Sequence, residues 1–322
     1  MIGHIFFLSA VFLISFSQSA MTQSTKLSED FREHILEAID KLKDSRVEGG
    51  YDIHKAFTQD LSYGKDCCIK ASRDLIRNPG PNPTMCVAAV AEIIIEALNI
   101  YGNKTNDYSY LAELPMSSWV KGNLTSIRAN LFMYSGTGSV GTAYTLEKLG
   151  LGIQKLFSEL KPGDFVNFNR TNNTGHAVVF LGFITSSGNT NTFSSDVIGF
   201  RYFSAQGKNR ADAGFGERNA YFRYNCPIPR GVNDDCNLIK GFEIDANGKI
   251  LKQNMALLNT GELFNPKNWT VKTALLNIRN RISRGFEETG LTRGSGLEEA
   301  IRSALETELS QNNLLYVDGS SN

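Results

Sequence analysis

The stretch LKPGDFVNFNRTNNTGHAVVFLGFI, residues 160–184, predicts two β-strands joined by a polar turn. Its Pro-Gly pair breaks any preceding element, and the runs 165–168 and 176–184 are rich in the Val, Phe and Ile that favour strands. A third run of this kind, VIGFRYFSAQG, follows at 197–207. Short strands separated by Asn, Gly, Ser and Thr indicate an antiparallel meander.

Helices are predicted on both sides of this meander. From Pro83 onward, apolar residues recur around a wide face, which indicates a buried helix. Residues 27–43 have an amphipathic pattern, and residues 271–312 are mostly helical in pattern and charged. The segment 241–252 has an Asn-Gly turn between strand formers and predicts a hairpin. This order favours an α+β fold in which the buried helix packs on an antiparallel sheet.

Charge and the N-terminal segment limit the class of protein. The chain of 322 residues carries 33 basic and 33 acidic residues, which is not the basic excess expected of a nucleic-acid binder. Residues 1–19 lack Asp, Glu, Lys and Arg, and the apolar run 5–16 is too short to span a bilayer but fits a signal peptide. We therefore expect a secreted or periplasmic protein with no transmembrane segment after leader removal.

The five cysteines divide into three groups. Cys226 and Cys236 bracket the turn-rich loop CPIPRGVNDDC, which predicts a disulfide. Cys67 and Cys68 are adjacent, and the sequence leaves open whether they bond to each other, stay reduced or pair elsewhere. Cys86 is left over. Because the sequence has no CxxC pair and no His/Cys cluster, we expect neither a metal nor another cofactor.

The position of Cys86 suggests a nucleophile. With Asn82 as N-cap and Pro83 as the first helical residue, Cys86 falls in the first helical turn. The helix dipole lowers the pKa of a thiol there, and a thiolate attacks amide carbonyls. The alternative is a small buried residue among alanines. A Gly-rich stretch at 135–144 lacks the Lys of a phosphate loop, so it does not predict a nucleotide site.

His176 is the candidate base. It stands where a polar loop becomes an apolar strand, a place where the loop exposes a side chain and the strand holds it. A base at this point, opposite the helix start, would take the proton of the Cys86 thiol. The alternative is a partly buried histidine that begins a strand and bonds to a neighbouring carbonyl.

These features together resemble the papain-like cell-wall hydrolases of the NlpC and CHAP kinds. The matching residues after the helix-borne cysteine are Leu160, Pro162, Gly163, Asp164, Phe168, Gly175, His176 and Gly182. The resemblance covers about residues 75–210 and implies a papain-like core with Cys86 as nucleophile and His176 as base. The family's usual residues around the cysteine are replaced by TMCVAAV, and an insertion is implied at about 102–150. We interpret Asp164 as a turn residue that starts a strand, and not as a catalytic acid.

The resemblance also implies supporting residues. In the family, a polar residue on the next strand orients the histidine. Gln206 and Ser204 share one face of the predicted strand, because strand side chains alternate. Gln206 is preferred for its longer reach, with Ser204 and Asn209 as alternatives. For the oxyanion hole, the candidates are the backbone N–H of Cys86 and the side chain of Asn82.

The expected organisation is a signal peptide (1–19), an N-terminal helical segment (20–60), a papain-like catalytic domain (61–240), and a hairpin and helical C-terminal region (241–322). The expected function is that of an exported cysteine hydrolase that cleaves an amide or peptide bond in peptidoglycan through an acyl-thioenzyme. One alternative is a papain-like protease, deamidase or transferase toxin that acts on protein. Another is a non-catalytic papain-like domain that binds glycan or protein. Expected partners are a peptidoglycan or peptide substrate, and an inhibitor or docking partner through the C-terminal helices.

Overall fold

A computed structural model describes residues 30–46, 50–52, 57–70, 83–134, 136–207 and 213–288. The predicted leader, Asn82, Asn209 and the tail beyond 288 lie outside these ranges. Helices and a mostly antiparallel sheet make up the described residues, which confirms the α+β class.

The helices are α1 (Arg32–Arg46), α2 (Cys86–Thr105), α3 (Tyr110–Glu113), α4 (Ser117–Val120), α5 (Ile127–Leu131), α6 (Thr142–Lys148) and α7 (Val271–Glu288). The strands are β1 (Leu61–Tyr63), β2 (Asp66–Ile69), β3 (Gly152–Gln154), β4 (Phe165–Asn169), β5 (Gly175–Thr185), β6 (Gly188–Thr190), β7 (Val197–Gln206), β8 (Gly214–Phe222), β9 (Asp234–Leu238), β10 (Phe242–Ile244), β11 (Ile250–Gln253) and β12 (Leu258–Leu263). Short 3-10 turns lie at Phe157–Glu159 and Pro266–Asn268.

The main sheet has eight strands in the order β3-β12-β4-β5-β7-β8-β9, with β6 beside β5. The predicted meander is confirmed as β4, β5 and β7, which pair antiparallel. Only β8 and β9 pair in parallel among the described strands. Arg170 and Leu238 form an antiparallel bridge that joins the end of β4 to the end of β9, so the sheet is curled. Each face of the curled sheet is covered by buried side chains.

One face, which we call the helical face, carries Phe165, Ala177, Val179, Phe203 and Ala205. These side chains form one apolar cluster with α1 and α2. By length and composition α2 is also the one described helix that could cross a membrane, but 83% of its apolar window is buried inside the fold. This helix is therefore the central helix of the core.

The opposite face, which we call the aromatic face, has its own cluster. Its members include Phe168, Val178, Phe180 and Tyr202. The hairpin of β10 and β11, predicted from its Asn-Gly turn, pairs antiparallel and contributes Phe242 and Ile250 to this cluster.

Helix α2 begins later than predicted. Met85, in extended conformation (φ −115°, ψ 165°), occupies the N-cap position and makes no side-chain capping bond. The cause lies in Thr84, which forms a parallel bridge with Tyr51 and accepts a hydrogen bond from the N–H of Asp52 at 3.1 Å. This bridge keeps the chain extended up to Met85. The prediction of Asn82 as N-cap and Pro83 as the first helical residue is therefore wrong, although Cys86 still lies in the first turn.

Strand β12 also departs from the expected organisation. It lies between β3 and β4 inside the main sheet, so residues 258–263 belong to the core rather than to a C-terminal addition. Pairing between strands so distant in sequence leaves no local signal. Within the predicted insertion at about 102–150, α6 packs on β3 and β12 and extends the helical layer.

Candidate functional site

Cys86 lies in the apolar layer between α2 and the helical face. Its side chain is 1% exposed, and it belongs to the same cluster as Ala177 and Val179. It is a thiol, whereas Cys226 and Cys236 form the predicted disulfide with Cα atoms 5.3 Å apart. Cys68 is disulfide-bonded as well. Disulfides are compatible with an oxidising compartment, as expected for an exported protein.

His176 lies on the aromatic face. Its ring packs edge to face against those of Phe168 and Tyr202, with centroids 5.6 Å away in both cases. Phe168 is its direct cross-strand partner on β4, and the residue is 0% exposed. The imidazole is therefore packed among aromatic rings.

The sheet separates the two candidate catalytic side chains. Strand side chains alternate, so Ala177 points toward α2 and Cys86 while His176 points away from them. A general base must lie within hydrogen-bond reach of the thiol whose proton it takes. Cys86 thus belongs to the cluster of the helical face, whereas the ring of His176 packs with rings of the aromatic face.

Of the residues predicted to orient the histidine, Gln206 and Ser204 lie on the same face of the sheet. Tyr202 donates its hydroxyl hydrogen to Oε1 of Gln206 at 2.8 Å, and Ser204 donates to the carbonyl of Ala177 at 2.7 Å. The hydroxyl of Ser204 is thus hydrogen-bonded to the backbone of the neighbouring strand. Beside this group, Arg170 donates to Asp235 where the sheet curls closed, with its guanidinium 5.1 Å from the ring of Phe168. Buried hydrogen bonds of this kind hold the end of the sheet together.

Burial of Cys86 leads to a test of thiol reactivity. We expect iodoacetamide to modify Cys86 in the native mature protein at least about 10³-fold more slowly than in urea, the suppression that an opening free energy of about 4 kcal/mol gives. Quenched labelling followed by mass spectrometry measures both rates. Ser186→Cys in a Cys86→Ala background supplies an exposed thiol as control, since residue 186 is exposed. Rapid labelling of native Cys86 below the usual thiol pKa would instead reveal an accessible thiolate.

A groove of about 510 Å³, which no sequence motif predicts, lies between α6 and α7. Its lining combines hydroxyl, amide, charged and apolar groups from α6, α7 and the loops before them. The lining includes Tyr144, Glu147, Lys148, Thr273, Asn277 and Ile278. Tyr144 is half-buried, Thr273 and Asn277 are exposed, and Ile278 is a buried residue of α7.

The sheet fixes the wall of this groove. Asn167 and Asn259 reach from β4 and β12 and accept hydrogen bonds from the backbone N–H groups of Thr142 (2.7 Å) and Tyr144 (3.0 Å). Gly141, at φ 153°, allows this approach, because a Cβ there would lie 2.6 Å from Oδ1 of Asn259. The first turn of α6 is therefore capped by two asparagines of the sheet.

The Gly-rich stretch before α6 forms the other side of the groove. Lys148 donates to Oδ1 of Asn130 at 2.8 Å and to the carbonyl of Thr137 at 2.5 Å, which ties this stretch to α5 and α6. Gly136 and Thr137 line the groove. The only sequence signal was the cluster of glycines, which does not by itself indicate a binding site.

A metal centre is not found in the described part of the chain, where no group of three or more His, Cys, Asp or Glu side chains is arranged to hold an ion. In comparisons with known proteins, no protein-family model, no curated protein and no solved structure matches this chain. The resemblance to papain-like hydrolases therefore rests on the quoted residues alone.

Proposed function

We propose that this chain is a secreted or periplasmic, non-catalytic glycan-binding domain with a papain-like helix-on-sheet core. The observation that carries the proposal is the placement of Cys86 and His176 on opposite faces of the sheet, both with almost no exposure. The groove between α6 and α7 supplies the binding site.

Hydrolysis by the predicted route requires a different arrangement. The thiolate must reach the substrate carbonyl, and the imidazole must reach the thiol. For the imidazole of His176 to reach the thiol of Cys86, the start of β5 would have to shift by one residue. Such a shift moves every side chain of the strand to the other face. That shift would bring His176 into the apolar layer under α2 and turn Ala177 and Val179 away from it. The same obstacle applies to a protease, deamidase or transferase that uses this dyad.

The groove suits a neutral ligand rich in hydroxyl groups. The ring of Tyr144 offers an apolar surface for the C–H face of a sugar, and the hydroxyl and amide groups of Thr273 and Asn277 offer hydrogen bonds. Glu147 and Lys148 carry opposite charges, so the lining favours neither anions nor cations. Ile278 and Ala274 provide apolar surface for an acetamido methyl group. These features support an N-acetylated glycan, such as that of peptidoglycan, as ligand.

Blocking the groove is expected to weaken glycan binding. Thr273→Trp places an indole in the groove from an exposed position, and we expect at least about 10-fold weaker binding, since a loss of 1.4 kcal/mol gives a tenfold change. Isothermal titration with soluble oligomers of N-acetylglucosamine and with muropeptides measures the affinity. Leu276→Trp is the matched control, because Leu276 is 58% exposed on the same helix but does not line the groove. Equal loss in both variants, or unchanged binding by Thr273→Trp, contradicts the groove as the site.

A second measurement separates binding from hydrolysis. Purified cell-wall fragments are incubated with the mature protein and with Cys86→Ala, and the products are analysed by mass spectrometry. We expect no new fragments with either protein. New fragments with the wild type alone would overturn the non-catalytic proposal and establish the cysteine hydrolase.

A further inference from the structure

The loop between β8 and β9 presents apolar side chains to solvent. Tyr224, Ile228 and Val232 are 88%, 99% and 76% exposed, unlike most large apolar residues of the described chain. The disulfide between Cys226 and Cys236 closes the loop, which limits the conformations over which these side chains spread. We call residues 223–236 the stapled loop.

Exposed charges of the stapled loop are mainly positive. Arg223 and Arg230 are both exposed, and the guanidinium of Arg223 lies 5.0 Å from the ring centroid of Tyr224. Nε of Arg230 donates a hydrogen bond to the carbonyl of Asp234 at 3.0 Å. The two guanidinium groups and the exposed apolar side chains thus belong to the same loop.

The carboxylates of the loop are held by protein groups. Asp234 accepts hydrogen bonds from the N–H of Gly231 at 2.7 Å and from Nδ2 of Asn219 at 2.8 Å. Asp235 is buried and paired with Arg170. The solvent-exposed surface of the loop therefore consists mainly of apolar side chains and guanidinium groups, because both carboxylates are bonded to other groups of the protein.

We propose that the stapled loop inserts its apolar side chains into an anionic phospholipid surface. Ile228 and Val232 remove apolar area from water on insertion. Tyr224 has the amphipathic ring that favours the membrane interface, and Arg223 and Arg230 attract anionic headgroups. The sequence has no long run of basic residues, so charge patterning does not indicate this surface. The proposal is independent of glycan binding, since the loop shares no residue with the groove.

Vesicle binding by the full mature chain tests the proposal. Co-sedimentation is measured with vesicles of phosphatidylcholine alone and of phosphatidylcholine mixed with phosphatidylglycerol. We expect binding to the anionic vesicles only, and weaker binding as salt screens the charges. Arg223→Gln and Arg230→Gln are each expected to weaken binding about 5-fold, and Ile228→Ser about 10-fold.

Matched controls come from the hairpin of β10 and β11. Leu251→Ser changes an apolar residue that is 66% exposed, and Lys249→Gln removes an exposed positive charge. Both are expected to bind vesicles as the wild type does. In Ile228→Trp, the indole fluorescence is expected to shift to shorter wavelength with anionic vesicles.

Three results overturn the proposal. Absence of binding to anionic vesicles excludes the lipid surface and leaves an acidic-rimmed pocket of a protein as the partner that the loop would fit. Binding that is equal in wild type and Ile228→Ser shows that another surface is responsible. Binding without a fluorescence shift in Ile228→Trp shows adsorption by charge without insertion.

Discussion

Phe157→Ala is expected to lower the free energy of unfolding by about 3–5 kcal/mol, among the largest single-residue effects in this protein. Phe157 is 0% exposed and lies on a 3-10 turn, with its ring packed at the centre of the aromatic face. Its centroid lies between 5.3 and 6.4 Å from those of Phe180, Phe183, Phe193, Phe200, Phe222 and Phe242. Truncation therefore leaves a cavity that surrounding strands cannot close. Urea denaturation followed by circular dichroism measures the loss.

Phe193→Ala is the matched control. This ring belongs to the same cluster but is only partly buried, at 6.1 Å from Phe157 and 5.6 Å from Phe183. Solvent can fill part of the space it leaves, so we expect a loss of about 1 kcal/mol. Similar losses for both variants would show that Phe157 is not the centre of this cluster.

Asp164→Ala is expected to cost about 3 kcal/mol, because it breaks a buried network of charges. Its carboxylate is 0% exposed and accepts hydrogen bonds from Nη1 of Arg32 (3.3 Å), Nζ of Lys155 (3.2 Å) and the N–H of Lys161 (2.9 Å). Without it, Arg32 and Lys155 share Glu262 as their remaining partner at the sheet. Arg32 is on α1, so the network joins the first helix to the sheet. Lys41→Ala, which breaks an exposed pair with Glu96, is expected to change stability by less than about 0.5 kcal/mol.

The pH dependence of stability gives an independent measure of this network. Burial raises the pKa of the Asp164 carboxyl above its ordinary value, and the neighbouring Lys155 and Arg32 offset this only in part. Between the ordinary and the raised pKa, the folded state therefore binds a proton that the unfolded chain has lost. The part of the stability that depends on this proton is fully present below the ordinary carboxyl pKa and is lost as pH rises through the raised pKa.

Asp164→Asn cannot titrate and serves as the reference for this effect. The stability of the wild type relative to this variant is expected to fall as pH rises from about 4. Carboxylates such as Glu217, whose pKa is lowered by Lys43 and Arg201, titrate alike in both proteins. A difference that stays constant or grows with pH would contradict the raised pKa of Asp164.

Local features of the site could be predicted from the sequence. Asp164 accepts a hydrogen bond from the N–H of Lys161 and directly precedes β4, as its place in a Pro-Gly-Asp turn indicates. Gly163, at φ 97°, is required there for a further reason, because a Cβ would come within 2.8 Å of Cβ of Arg32. Gly163 and Arg32 are far apart in sequence, so the turn pattern does not predict their close approach.

The face on which His176 lies could not be predicted. Both faces of β5 are buried, and every residue from 175 to 180 is buried, so no alternation of polar and apolar residues marks its orientation. The prediction of a Cys86–His176 dyad depended only on the order of a cysteine, a turn and a histidine along the chain. A strand turned over by one residue preserves that order and separates the two side chains.

The sequence alone determined the α+β class, the buried helix, the three strands of the meander, the hairpin and the Cys226–Cys236 disulfide. Each depends on periodicity, turn residues or short spacing, which act between near neighbours. The tertiary structure alone decided the position of β12 within the sheet, the delayed start of α2, the separation of Cys86 from His176 and the groove between α6 and α7. These depend on pairing and packing between distant segments, where a shift of one residue changes the face on which a side chain lies.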